Sequence, residues 1–260
     1  MQIRRVFVIT AVLLTALFAL TNLLRPLQTV SSAPQATTFL YDSSLGTLPS
    51  EQNFSFLALN PQPPFLTLAS QTYSTPVTVL STTSQLSEYA GYPVSQTVMP
   101  TLNRTAGFQL TFDLRVISEN HGSNNDRAGF SLILLSEDLY GIEMAFWQDE
   151  IWVQEGNGAL FTHAEGVSYD TTAALTTYKL TVISGTYQLA ANDVFLFNGS
   201  LRQYTDWIPP FALPDPYEQP NQLFLGDDTS SAGAEVWLGD VTIQDDAPDH
   251  TIFLPIISKS

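Results

Sequence analysis

Glu143 is the carboxylate with the most usable chemistry around it. In the alternating stretch Tyr140–Trp147 it shares a face with Trp147, and a turn at Gln148-Asp149 brings Trp152 and Gln154 to the same face. Sugar rings stack on aromatic faces, and sugar hydroxyls exchange hydrogen bonds with carboxylates, amides and guanidinium groups. A second polar face lies on residues 108–116, where Gln109, Thr111, Asp113 and Arg115 alternate with apolar partners. If both faces belong to one concave sheet, Asp113, Arg115, Glu143, Trp152 and Gln154 form a glycan-binding surface. The plainer alternative is a solvated ion-pair network of Asp113, Arg115 and Glu143, with tryptophans that only cover a sheet.

Catalytic readings find less support. Glycoside hydrolysis needs two carboxyl groups about 5–10 Å apart. Beyond Glu143 its strand offers Ala145 and Trp147 on that face, and Glu150 falls at the turn. A lyase would need Tyr, His and Arg together, but His121 lies in a loop, His163 stands alone and His250 is near the end. The chain contains no Gly-x-Ser-x-Gly elbow, phosphate loop or dinucleotide fingerprint. Calcium is the candidate cofactor, because hard cations take six to eight oxygens. Asp227 and Asp228, followed by Thr229, are the best candidate ligands. The same residues would also suit a turn in which Asp caps backbone amides.

The elements that must position these groups are strands. Phe108, Leu110, Phe112, Leu114 and Val116 repeat with period two, and Tyr178–Ile183 and Tyr187–Ala190 continue the pattern across a Ser-Gly-Thr turn. Residues 128–135 are apolar on both faces, as a central strand would be. A hairpin closed around Gln148-Asp149 pairs Phe146 with Ile151, Met144 with Val153, Ala145 with Trp152 and Glu143 with Gln154. Gln-Asp is a poor two-residue turn, so a four-residue loop in the same register is an equal alternative. Residues 223–226 and 235–243 supply two further strands, and the Pro-rich stretch 208–220 reads as a long surface loop. Many short strands with Gly, Asn and Asp turns predict an all-β, two-sheet antiparallel jelly-roll sandwich.

Composition sets the setting. The 260 residues include no Cys, 25 acids and 9 bases, for a net charge of −16. Arg4, Arg5 and Arg25 fall in the first 33 residues, which leaves 25 acids against 6 bases in the remainder. Such a body repels a phosphate backbone, so nucleic acid is excluded as a partner. Residues 1–33 combine Arg4-Arg5, a mostly apolar run to Leu24 and small residues at 30–33. That is a cleaved secretory signal or, since the run approaches the ~20 residues of a bilayer span, an uncleaved anchor. The membrane would be a partner only through that uncleaved segment. Both readings place the domain at 37–245 outside the cytoplasm, on the cell surface or secreted. Residues 246–260 form a tail, either a sorting motif or a last docked segment.

Three stretches carry a family resemblance: Phe39–Ser50, Arg127–Glu143 with Phe146–Trp152, and Pro220–Ser230 with its Leu-Gly-Asp-Asp-Thr-Ser. Together they resemble the choice-of-anchor Y domain of exported bacterial proteins. The resemblance implies a concanavalin A-like lectin/glucanase fold and carries no established activity. The resulting expectation is an exported, non-enzymatic domain that binds or adheres to a glycan or envelope polysaccharide, with calcium as a candidate helper. A glycan-active hydrolase or lyase, and a structural coat component recognising protein, are the alternatives.

Overall fold

The computed structural model describes residues 37–209 and 215–245. The segments at 1–33 and 246–260, with the signal, anchor and tail readings attached to them, lie outside the described residues. The first half contributes β1 (Thr37–Tyr41), β2 (Leu57–Leu59), β3 (Ser70–Ser74), β4 (Val77–Ser81), β5 (Tyr89–Pro93), β6 (Phe108–Asn120) and β7 (Ser131–Leu135). The second contributes β8 (Gly141–Phe146), β9 (Glu150–Gln154), β10 (His163–Ser168), β11 (Thr176–Ile183), β12 (Thr186–Ala191), β13 (Val194–Ser200), β14 (Leu223–Asp227) and β15 (Gly233–Asp245). Eight strands form one sheet in the order β13-β12-β11-β6-β15-β4-β3, with β1 also paired to β15. Seven form the other, in the order β10-β9-β8-β7-β14-β5-β2. Every pairing is antiparallel. The fold is the two-sheet jelly-roll sandwich that the alternation predicts.

Side-chain parity explains the layering. Phe108 to Val116 send every second residue into the core, where they meet Ile142, Met144, Phe146, Ile151 and Val153 from the opposite sheet. The β8–β9 register pairs Met144 with Val153, Ala145 with Trp152 and Phe146 with Ile151. Trp147 N–H donates to Glu150 O at 2.9 Å, so the connection is the two-residue turn Gln148-Asp149. The apolar stretch read from 128 becomes a strand only at Ser131. Its second apolar face has its own cover. Ile133, Leu135 and Phe224 point away from the core and pack under Tyr204 and Tyr217, with Phe161 and Trp207 alongside. The outer side of the seven-stranded sheet therefore carries a roof drawn from the connections after β9 and β13.

The described part of the 208–220 stretch departs from a plain surface loop. Pro216–Glu218 forms a 3-10 turn, capped by the Asp215 carboxylate accepting from Tyr217 N–H at 2.8 Å. The turn buries Tyr217 against the sheet. Between β14 and β5, Gly226 sits opposite Gly91, where an added Cβ on Gly91 would lie 2.6 Å from Leu225 O. No helix among the described residues is long and apolar enough to cross a membrane.

Candidate functional site

The five residues proposed for one glycan surface divide between the two sheets. Asp113 and Arg115 stand on β6 in the eight-stranded sheet, whereas Glu143, Trp152 and Gln154 stand on β8 and β9 in the seven-stranded one. Both sets point away from the shared core, so they occupy opposite outer sides of the sandwich. Alternation reports which residues share a side of a strand, not which sheet the strand joins. The single five-residue surface is corrected on that ground, and so is an ion-pair network linking Asp113 and Arg115 to Glu143. Asp113 instead accepts from the Thr177 hydroxyl at 2.6 Å, and burial raises its pKa. Arg115 donates through Nε to Thr172 O at 2.7 Å and lies 5.1 Å over the ring of half-buried Trp237.

On the seven-stranded side the hairpin triad stays together, but buried rather than in the open. Glu143 exposes 2% of its surface, Gln154 2% and Trp152 none. Trp152 is therefore no exposed platform. The His163 ring stacks on it at 4.1 Å, and Trp147 meets it edge-on at 5.3 Å. His163 is not isolated either, since its Nε2 lies 3.1 Å from Glu150 Oε1. His121 stacks in turn on Trp147 at 4.1 Å.

Glu143 sits at the centre of this face. Its carboxylate accepts from the Tyr217 hydroxyl, and its N–H donates to Tyr204 Oη at 3.0 Å. Tyr204 donates onward to Gln154 O at 3.0 Å. Asp228, immediately after β14, meets the Glu143 carboxyl within hydrogen-bonding reach and lies beside Ser131. Two carboxyl groups in contact hold one proton between them, because a pair of buried charges that close is too costly. Burial first, and then the charge on Asp228, pushes the Glu143 carboxyl well above the usual range. Burial also raises Asp228, offset by its bonds to Glu143 and Ser131. Arg127 lowers both through its field, while its Nη1 donates to Phe161 O at 2.7 Å.

Two polar atoms on this face have no partner. Trp152 Nε1 and Gln154 Oε1 are buried without a hydrogen bond, while Ser131 Oγ lies against the Asp228 carboxyl. Cross-strand pairing sets Ser131, Ala145 and Trp152 in one row and Ile133 and Glu143 in the next. Gln154 follows Val153 on β9 and completes the second row opposite Glu143. The unpartnered atoms thus border the acid pair, with the small Ala145 between them.

Asp227 and Asp228 do not act together. Asp228 faces Glu143, whereas Asp227 turns the other way, accepts from Thr229 N–H at 3.1 Å and faces Thr82. Neighbours on an extended chain point to opposite sides, which corrects the paired calcium-ligand reading. Among the described residues no group of three or more His, Asp or Glu side chains could hold a metal ion. Sequence reasoning missed Asp228 as the partner of Glu143, weighed Arg127 only for a lyase, and missed Tyr204 and Tyr217 altogether. The outward apolar residues of 128–135 were the available signal, since they require a cover.

No family model and no curated protein matches the chain. Among solved structures, a carbohydrate esterase from the Shiga toxin-encoding bacteriophage phi24B is similar over 82% of this chain and 100% of its own, with 13% identity and a TM-score of 0.51. A Bacillus subtilis protein of unknown function with a galectin-like fold aligns over 82% of this chain and 97% of its own, with 9% identity and a TM-score of 0.44. The exoplasmic/lumenal domain of VIP36 in its Ca2+/Man-bound form aligns over 75% of this chain and 92% of its own, at 13% identity and a TM-score of 0.40. At these identities the likeness is one of fold alone.

Proposed function

We propose that this chain is an exported domain that binds a glycan on the outer face of the seven-stranded sheet, centred on Glu143. The observation that carries the reading is the pair of unpartnered buried atoms, Trp152 Nε1 and Gln154 Oε1, beside two carboxyl groups in contact. Each unmade bond costs about 1–3 kcal/mol, and a ligand bearing hydroxyl groups would satisfy both. Asp113 and Arg115, on the far side, take no part in this site. An envelope polysaccharide at the cell surface is the ligand class that accords with the resemblance to choice-of-anchor Y domains and with the signal-like residues 1–33. Entry requires Tyr217 to move, because its hydroxyl closes over Glu143.

One observation favours a hydrolase as the second reading, since Asp228 supplies a second carboxyl beside Glu143, whose own carboxyl burial raises. Their contact is tighter than the roughly 5–5.5 Å at which a retaining pair admits a glycosidic bond, which places binding ahead of hydrolysis. A glycan array probed with the full chain, with and without EDTA, tests the proposal. Binding that persists in EDTA supports it, and loss only in EDTA reinstates a calcium-assisted mode. Silence in both conditions sinks the glycan reading, and shortened glycans recovered from the array solution would favour the hydrolase.

A further inference from the structure

We infer that the site selects an amine-bearing glycan, a deacetylated amino sugar whose ammonium sits between Glu143 and Asp228. This rests on the glycan reading above and adds the ligand's charge. Oxygen acceptors converge on the acid pair. The Glu143 and Asp228 carboxyls, Ser131 Oγ and Gln154 Oε1 can all accept, and Gln154 Oε1 has no partner. It is the acceptor end of its amide, because Nε2 donates to Asp126 O at 3.0 Å. A primary ammonium brings three donors and no acceptor, which suits that set of oxygens. The rings of Tyr204, Tyr217 and Phe161 supply the walls, and aromatic faces attract cations.

The cation already present does not fill this role. Arg127 Nη1 bonds the carbonyls of Asp126 and Phe161, and the guanidinium lies 5.5 Å over the Phe161 ring. The charged and titratable groups facing the pair are Arg127 from the segment before β7, Tyr204 from the roof and Tyr217 from its 3-10 turn, with Arg202 and Glu155 acting only on Tyr204. A uronate would bring a third carboxylate into this setting and is excluded. A neutral sugar could use Gln154 and Trp152, but it would leave the acid pair holding its own proton. An ammonium takes the place of that proton, which passes to solvent, while Tyr217 gives up its bond to Glu143.

The test measures the full chain by calorimetry against four β-1,4-linked tetramers: glucosamine, N-acetylglucosamine, glucose and a uronic acid. The glucosamine tetramer should bind tighter than its neutral counterparts by roughly tenfold to a hundredfold, the worth of one charge-assisted hydrogen bond. Binding should release a proton, seen as heat that varies with the buffer's ionisation enthalpy. Asp228→Asn should remove the preference while retaining the neutral tetramers, and Glu143→Gln should do the same if Asp228→Asn fails to fold. Glu137→Gln, an exposed acid outside the site, controls for attraction of a cation to an acidic protein. Equal binding of amine and neutral tetramers, no proton release, or equal loss in the Glu137 control would each overturn the inference and leave the glycan reading standing. No binding by any tetramer, with a silent array, would overturn both.

Discussion

Substitution of Trp152 separates packing from ligand binding. The side chain is fully buried between His163 at 4.1 Å and Trp147 at 5.3 Å, and its Nε1 has no partner. A buried Trp removes about 150–250 Å2 from water, worth ~4–6 kcal/mol at about 25 cal/mol per Å2. Trp152→Ala retains a little of that area and is relieved of a buried N–H worth about 1–3 kcal/mol. The net loss should be about 1–5 kcal/mol, overlapping the range of large aromatic truncations. Trp152→Phe keeps one ring in the stack and sheds the same N–H, so the smaller cavity and the relief nearly cancel. Its stability should lie within about 1 kcal/mol of the parent. Glycan affinity should nevertheless fall roughly tenfold, because the N–H awaiting the ligand is gone. Urea unfolding followed by far-UV circular dichroism gives the first quantity, and calorimetry the second. A loss beyond about 2.5 kcal/mol for Trp152→Phe would mean that Nε1 supports the fold, and the case for a vacant donor would collapse.

Other outcomes follow from the same geometry. The raised Glu143 carboxyl contributes stability that is complete below the ordinary carboxyl range and is lost as pH rises through its folded value, and Glu143→Gln should flatten that limb of a melting profile. The opposite sign holds at Arg202, whose bonds depress Glu155 and Glu165. Their contribution is present above the ordinary Glu range and falls away on acidification, so Arg202→Met should steepen nothing in acid and lower stability at pH 7 by about 1–3 kcal/mol in urea titrations. Gly91→Ala forces a Cβ to 2.6 Å from both Leu225 O and the Phe224 ring, and should lose roughly 3 kcal/mol; a melting temperature equal to the parent's would show that the β5–β14 contact relaxes freely. Removing calcium with EDTA should leave the melting temperature unchanged, whereas a fall of more than about 3 °C, near 1 kcal/mol, would place an ion at the Asp227 end after all.

Strand identity and sidedness were legible in the sequence because burial writes itself into every second residue. The pattern from Phe108 to Val116 and the pairing of Met144 with Val153 came out as read. Sheet membership did not. Nothing local distinguishes β6, which pairs with β11 and β15, from β8, which pairs with β7 and β9. Asp113 and Glu143 were therefore joined in one surface although the core lies between them. The acid pair was hidden for a related reason. Asp228 lies 85 positions after Glu143, and Tyr217 comes from a Pro-rich stretch whose composition suggested only exposure. The double-sided apolar run at 128–135 did signal a cover, without naming the tyrosines that provide it.

The thirteen-residue strand β15 pairs with β6, β4 and β1 at once. Until residues 233–245 are available, the larger sheet lacks its middle, and β1 and β4 have no common neighbour to hold them. A chain emerging from the ribosome therefore cannot close that sheet until its last described strand has been made, so β1, β4 and β6 wait for a partner that is synthesised after all of them.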